Sequence, residues 1–133
     1  MREYLFRGKK TSNGEWGYGD LWCNLYGGRR VFIVSPINTQ DTMGVNEVNL
    51  ETIGQYTGLT DKNGTKIFEG DIVKYGDTVH NVVFEQRNGT AYFGLVYSTL
   101  ETLSFGYYQD LKQIEVIGNI YDNPELVGDE NND

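Results

Sequence analysis

The chain has 133 residues, a length that fits one ordinary globular domain with a core large enough to need no disulfides. Its longest apolar runs, such as residues 31–34, fall far short of the roughly 20 residues of a membrane-spanning helix. The first residues also lack the basic-then-apolar pattern of a secretory leader, so we expect no membrane association. A single cysteine, Cys23, excludes an internal disulfide and a multi-cysteine zinc site.

The composition is typical of β structure. Seventeen glycines against two prolines, with ten tyrosines and six phenylalanines, indicate short aromatic-rich strands joined by tight glycine turns. Alanine, the best helix former, occurs only at Ala91, and few segments keep apolar residues at helical spacing over three turns. The sequence therefore predicts a mainly β fold.

The first half of the chain reads as strands separated by turns. A strand begins at residues 4–6 and ends at the polar turn 11–14, and a second, with aromatic residues at alternate positions, covers residues 16–22. After a turn at Gly27-Gly28, residues 30–35 are apolar on both faces and predict a central strand. We expect a surface loop over residues 36–46 and an extended segment over residues 48–56.

Two Asn-Gly pairs predict hairpins in the second half. Asn63-Gly64 favours a type I′ turn, which needs positive φ at both central residues, before the segment 67–75, in which we expect Gly70 to place Glu69 and Asp71 in a turn. Asn88-Gly89 joins strands over residues 78–85 and 90–96. A last strand follows at residues 112–121.

One short helix is expected near residues 98–104. Ser98 is a suitable N-cap residue, and Glu101, three positions later, completes a capping box. Residues 122–126 allow one helical turn. Residues 128–133 are acidic and carry no apolar anchor, so we expect this tail to be disordered.

The Gly70-Asp71 pair suggests how the second half closes. A Gly-Asp pair before alternating apolar and polar residues is typical of the first long strand of a small SH3-like barrel, since glycine tolerates the sharp entry, with positive φ, and aspartate can hydrogen-bond its own backbone two residues on. We therefore expect a single compact domain over residues 1–127. A barrel-like unit would cover about residues 55–121, with the N-terminal strands packed against it.

Charge is unevenly distributed along the chain. Residues 1–35 have a net charge of +3, whereas residues 36–133 have a net charge of −11. The acidic field repels a phosphate backbone, so we expect no binding of duplex DNA. The acidic surface favours solubility, and the alternatives are an acidic face for a basic partner or a nucleic-acid mimic. A nucleic-acid-associated protein would have to use the bases of the N-terminal third, which are Arg2, Arg7, Lys9, Lys10, Arg29 and Arg30.

Candidate catalytic and metal-binding groups are few. Residues 61–64 do not have the spacing of a calcium loop, and no nucleophile elbow or phosphate-binding loop occurs. We expect His80 on a strand surface and Cys23 as a small buried apolar group. Glu69 and Asp71 lie two positions apart and form the one carboxylate pair that could support acid–base chemistry. We assign no catalytic residue, cofactor or metal site.

Residues 55–64 and 67–73 closely resemble the YopX family of small phage and prophage proteins. Residues 1–7 and 115–126 extend the resemblance over nearly the whole chain, although Gly8-Lys9-Lys10 departs from the family's usual polar segment. The family implies a mostly β protein with an SH3-like part, made in the bacterial cytoplasm. It implies no reaction, and its recurring residues are of types that turns and strand ends require.

Three functions remain open. The first is a non-catalytic interaction module that acts on a host or phage protein, since small β domains with exposed aromatic residues often carry such sites. The second is a nucleic-acid-associated protein that uses the basic residues of the N-terminal third. The third is an enzyme with a carboxylate site at Glu69 and Asp71. The sequence specifies no oligomeric state.

Overall fold

The computed structural model describes residues 3–24, 28–35, 44–87, 89–98, 101–104 and 110–127. Over these residues it has eleven antiparallel β-strands and three single-turn 3₁₀ helices, so the mainly β prediction is confirmed. None of the helices in these ranges is long and apolar enough to cross a membrane. The chain divides into unit 1, Met1–Tyr56, and unit 2, Thr57–Asp133.

The elements of unit 1 are β1 (Phe6–Lys9), β2 (Trp16–Asn24), β3 (Arg30–Val34), β4 (Val45–Val48), a 3₁₀ helix (Leu50–Thr52) and the start of β5 (Gly54–Thr60). The strands form an antiparallel sheet in the order β4-β3-β2-β1-β5. Residues 16–19 of the long strand β2 pair with β1, and residues 20–24 pair with β3.

The end of β4 returns to the end of β1. Lys10 forms a bridge with Val48, and the Thr11 amide donates to the Glu47 carbonyl at 3.0 Å. A Cβ at Gly8 would lie 2.8 Å from a Val48 methyl, so only glycine fits there. The sheet therefore curls around a small core, made of Val31, Ile33 and Val48 with Phe6, Leu21 and Ile53 packed against them.

The elements of unit 2 are β6 (Lys66–Phe68), β7 (Asp71–Tyr75), β8 (Thr78–Arg87), β9 (Thr90–Ser98), β10 (Glu101–Ser104), a 3₁₀ helix (Leu111–Gln113), β11 (Ile114–Asn119) and a 3₁₀ helix (Pro124–Leu126). Five of the strands form an antiparallel sheet in the order β10-β9-β8-β7-β11. The core of unit 2 consists of Ile67, Val73, Val82, Leu95 and Ile114, each at most 1% exposed.

The predicted helix at residues 98–104 is wrong. Ser98 ends β9, and Glu101–Ser104 forms β10, in which Leu103 pairs with the buried Leu95. The capping box is a local preference, and pairing with the edge of β9 satisfies the backbone of residues 101–104 instead. The helical turn expected near residue 124 is confirmed.

The extended segment expected over residues 48–56 is interrupted by a 3₁₀ turn. The Asn49 side chain accepts a hydrogen bond from the Glu51 amide at 3.0 Å and begins the Leu50–Thr52 helix. The expected loop over residues 36–46 is also too long, because Val45–Val48 is a strand. Residues 36–43, Gly27 and the acidic tail 128–133 lie outside the described residues.

The turn predictions are confirmed in two places and corrected in one. Gly70 has a φ of 94°, as the Gly-Asp pair predicts, and Arg87 pairs with Thr90 across the second hairpin. Asn88 lies outside the described residues. Asn63 has no positive φ, whereas Gly64 has a φ of 82°, so the first turn is not type I′.

The barrel prediction holds only in its coarse form. The described residues form two curled, barrel-like sheet systems rather than a closed barrel, and the SH3-like detail remains a prediction. The single domain over residues 1–127 also stays a prediction.

Candidate functional site

Asp61 organises the turn between β5 and β6. One carboxylate oxygen accepts from the amides of Asn63 and Thr65 at 2.8 and 2.9 Å, and the other accepts from the amide of Val116 at 2.9 Å. Burial alone would raise the pKa of the Asp61 carboxyl, but these backbone donors, with the charge of Lys62, bring it below its usual value. Asp61 therefore joins the turn to β11 as an ionised acceptor.

The carboxylate pair at Glu69 and Asp71 flanks a turn. Asp71 is 3% exposed, and its carboxylate accepts from the Phe68 amide at 2.7 Å. Between them, the Gly70 amide donates to the Val82 carbonyl at 2.8 Å. The carboxylate of Asp71 thus caps the turn that leads into β7 through an amide three positions earlier, whereas the Gly-Asp pair predicts a bond to the backbone two positions later.

His80 lies on β8, as expected, but the prediction that it is a surface residue is wrong. Its ring is 5% exposed, with Nε2 2.7 Å from the Thr78 hydroxyl and Nδ1 3.0 Å from the Val96 carbonyl. The Val96 carbonyl can only accept, so Nδ1 carries a proton. The Tyr97 ring lies 4.2 Å away, centroid to centroid. Neighbouring groups satisfy both nitrogens, and burial therefore costs little.

Cys23 is exposed, so the prediction of a buried apolar group is also wrong. It lies near the end of β2, directly across from the core residue Val31 of β3. There it borders a pocket of about 270 Å³, here called the end pocket. The pocket is lined by Cys23, Asn24, Arg29, Arg30, Val31 and Leu50.

The basic residues of the N-terminal third have different environments. Arg7 is 5% exposed, and its guanidinium lies 4.5 Å from the centre of the Trp16 ring; the Lys9 ammonium lies 5.5 Å from the same ring. Arg29 is exposed, and Lys10 is half-buried. Arg2 lies outside the described residues.

Arg30 forms a bidentate pair with Glu47 on the neighbouring strand. The two hydrogen bonds are 3.2 and 3.0 Å long. The hydrogen bond raises the pKa of the Arg30 guanidinium and lowers the pKa of the Glu47 carboxyl. Glu47 therefore balances the charge of this arginine, whose side chain stays 57% exposed.

The outer side of the unit 1 sheet has an apolar centre that sequence reasoning missed. Trp22 lies directly across from Phe32, and their rings are 5.1 Å apart. Trp22 is 53% exposed, Tyr18 44% and Val45 50%. We call Tyr18, Trp22, Phe32 and Val45 the aromatic face. The alternation of aromatic residues along β2 predicts that they share one side of the strand, but it does not predict whether that side is exposed to solvent.

Charged groups border the aromatic face. Phe32 lies across from Glu47, and the Arg30 guanidinium is 5.3 Å from the Phe32 ring. Asp20 pairs with Val34, which in turn pairs with Val45. An aromatic centre with a charged rim is the usual layout of a protein-binding surface.

Comparison with known proteins gives a family and a fold. The family model described as YopX protein matches residues 5–128. The crystal structure of protein EF1440 from Enterococcus faecalis is similar, with a TM-score of 0.55 and 24% identity over 96% of this chain and 99% of that chain. At that identity the likeness concerns the fold alone. No curated protein matches the chain.

Proposed function

The chain belongs to the YopX protein family, and from that premise we propose that it is a non-catalytic protein-interaction module that binds through the aromatic face of unit 1. The observation that carries the proposal is the exposed Trp22 ring, which packs against the half-buried ring of Phe32. A half-exposed tryptophan keeps a large apolar area in water, and covering that area with a partner is favourable. Tryptophan and arginine are also the residue types that most often dominate binding energy.

The charge distribution supports a protein partner over a nucleic acid. Residues 1–56 carry six Lys and Arg and six Asp and Glu, whereas residues 57–133 carry five and thirteen. The whole net charge of −8 therefore belongs to unit 2. Next to the aromatic face, Glu47 already balances the charge of Arg30, which weakens the attraction of that edge for a phosphate backbone.

The geometry of the other candidate groups also supports a non-catalytic role. The carboxylates of Asp61 and Asp71 and the ring of His80 each accept or share hydrogen bonds with the backbone around them. Their side chains stabilise turns and strand pairs, and each is at most 7% exposed. On this proposal the partner is a host or phage protein in the bacterial cytoplasm.

Affinity capture from lysate of phage-infected cells tests the proposal. Wild-type protein should retain one stoichiometric partner, and Trp22→Ser should weaken its retention by about 30-fold or more, as expected for a hot-spot residue. Tyr4→Ser is the matched control, because Tyr4 is exposed and aromatic, in unit 1, and outside the aromatic face. Equal loss in both variants, or recovery of nucleic acid alone, would contradict the proposal.

A further inference from the structure

The end pocket has an apolar interior and a basic rim. Val31 at its floor is 4% exposed, and Leu50 on its wall is 48% exposed. The Cys23 side chain, which is only weakly polar, also lines the pocket. A volume of about 270 Å³ lies just below the range of drug-sized sites, so the pocket suits a single side chain better than a cofactor.

The two arginines at the rim differ in what they can still bind. The Arg30 guanidinium is engaged by Glu47 at 3.0 Å, so its charge is already balanced. Arg29 is exposed, and it makes no ion pair with any residue in the part of the chain that the structure describes. Arg29 is therefore the cation that a bound group can use.

From these features we infer that the end pocket takes an aliphatic side chain from an acidic segment of the partner protein, with a neighbouring carboxylate on Arg29. The inference rests on the proposed function and specifies the chemistry of the partner. Asn24 and Arg30 line the pocket and also pair with each other at the end of the strands that carry Trp22 and Phe32. One extended segment can therefore reach both the aromatic face and the end pocket.

Charge complementarity decides the sign of the partner segment. Unit 1 has no net charge, and Arg29 is the charged residue lining the pocket that has no ion pair among the described residues, so it favours an acidic group there. The charge of more distant acids is screened beyond about 8 Å at physiological salt. Arg29 would repel a basic segment, and a neutral segment would offer Arg29 no ion-pair partner.

Three capped tripeptides test the inference on the full chain. Ac-Asp-Leu-Asp-NH₂ presents both features, Ac-Asn-Leu-Asn-NH₂ lacks the carboxylates, and Ac-Asp-Ala-Asp-NH₂ lacks the aliphatic side chain. We expect the first to shift the backbone NMR signals of Asn24, Val31 and Leu50. The second should bind about threefold more weakly, as for one exposed ion pair, and the third about tenfold more weakly.

Cys23 supplies an independent readout. It is the chain's only cysteine and is exposed, so iodoacetamide labels one known site. The first tripeptide should slow that labelling, and the other two should slow it less. Slowing by all three peptides alike, or shifts elsewhere in the chain, would overturn the inference.

A substitution at the rim separates charge from shape. Arg29→Asn removes the cation while keeping a residue type that tolerates the observed φ of 56°. It should abolish the preference for the Asp peptide over the Asn peptide. Lys112→Asn makes the same change in net charge at an exposed site in unit 2 and should leave the preference intact.

The two proposals fail in different ways. If none of the tripeptides binds at concentrations up to about 10 mM, which is high enough to detect a very weak complex, the end-pocket inference is wrong. Capture of a protein partner that still depends on Trp22 would then leave the proposed function standing. If the tripeptides bind but capture of the partner does not depend on Trp22, the proposed role of the aromatic face is wrong.

Discussion

Asp61→Asn is the sharpest test of how the second unit is held together. Asparagine keeps the size of the side chain and one oxygen for the amides of Asn63 and Thr65. Its NH₂ group then faces the Val116 amide, which in the wild-type protein donates to a carboxylate oxygen of Asp61 at 2.9 Å. Two donors then face each other, and the amide of the half-buried Val116 loses its acceptor.

The magnitude follows from the hydrogen bonds that change. An unsatisfied buried amide costs about 1–3 kcal/mol, and replacing a charged acceptor by a neutral one weakens the two remaining bonds by about 0.5 kcal/mol each. We therefore expect Asp61→Asn to lower the free energy of unfolding by about 2–4 kcal/mol at pH 7, measured by urea denaturation. Asp77→Asn, at an exposed turn position, should change it by less than about 0.5 kcal/mol.

The effect should also depend on pH in a defined direction. The folded-state pKa of Asp61 is lowered, so its ionised form stabilises the fold above the unfolded-state pKa of about 3.9. This stabilisation is lost as the pH falls through the folded-state pKa. The difference between wild type and Asp61→Asn should therefore shrink below about pH 4. Equal stability at pH 7, or a difference that widens in acid, would refute this account of Asp61.

Three other outcomes follow from the geometry. Gly70→Val should lower the free energy of unfolding by about 1–3 kcal/mol, because a β-branched residue is strained at a φ of 94°; wild-type stability in urea would contradict the turn assignment. Gly118→Ala should destabilise by about 1–3 kcal/mol, since its Cβ would lie 2.5 Å from the Asn123 side-chain oxygen. Thermal unfolding should show the loss, and the double change with Asn123→Ala should recover part of it. A mobility-shift titration should detect no duplex DNA binding at about 0.15 M salt; a salt-sensitive shift at micromolar protein, lost when Lys9 and Lys10 become Glu, would show the opposite.

The sequence alone determined the features that depend on neighbouring residues. The strand-rich class follows from composition, and the positive φ of Gly70 follows from the Gly-Asp pair that begins β7. The hairpin between β8 and β9 follows from its Asn-Gly pair, and family membership follows from the turn segments around Asp61 and Gly70. These features are set by φ preferences and short-range hydrogen bonds, which a few adjacent residues carry by themselves.

Only the tertiary structure decided which sides of the strands meet solvent and which segments pair. Residues 101–104 have a capping box but form a strand, because the edge of β9 offers them backbone partners. His80 is buried because Thr78 and the distant Val96 satisfy its two nitrogens, whereas Cys23 is exposed although its partner across the strands, Val31, belongs to the core. The aromatic face depends in the same way on pairing between strands. Alternation places Tyr18 and Trp22 on one side of β2, but the curl of the sheet decides that the opposite side covers the core.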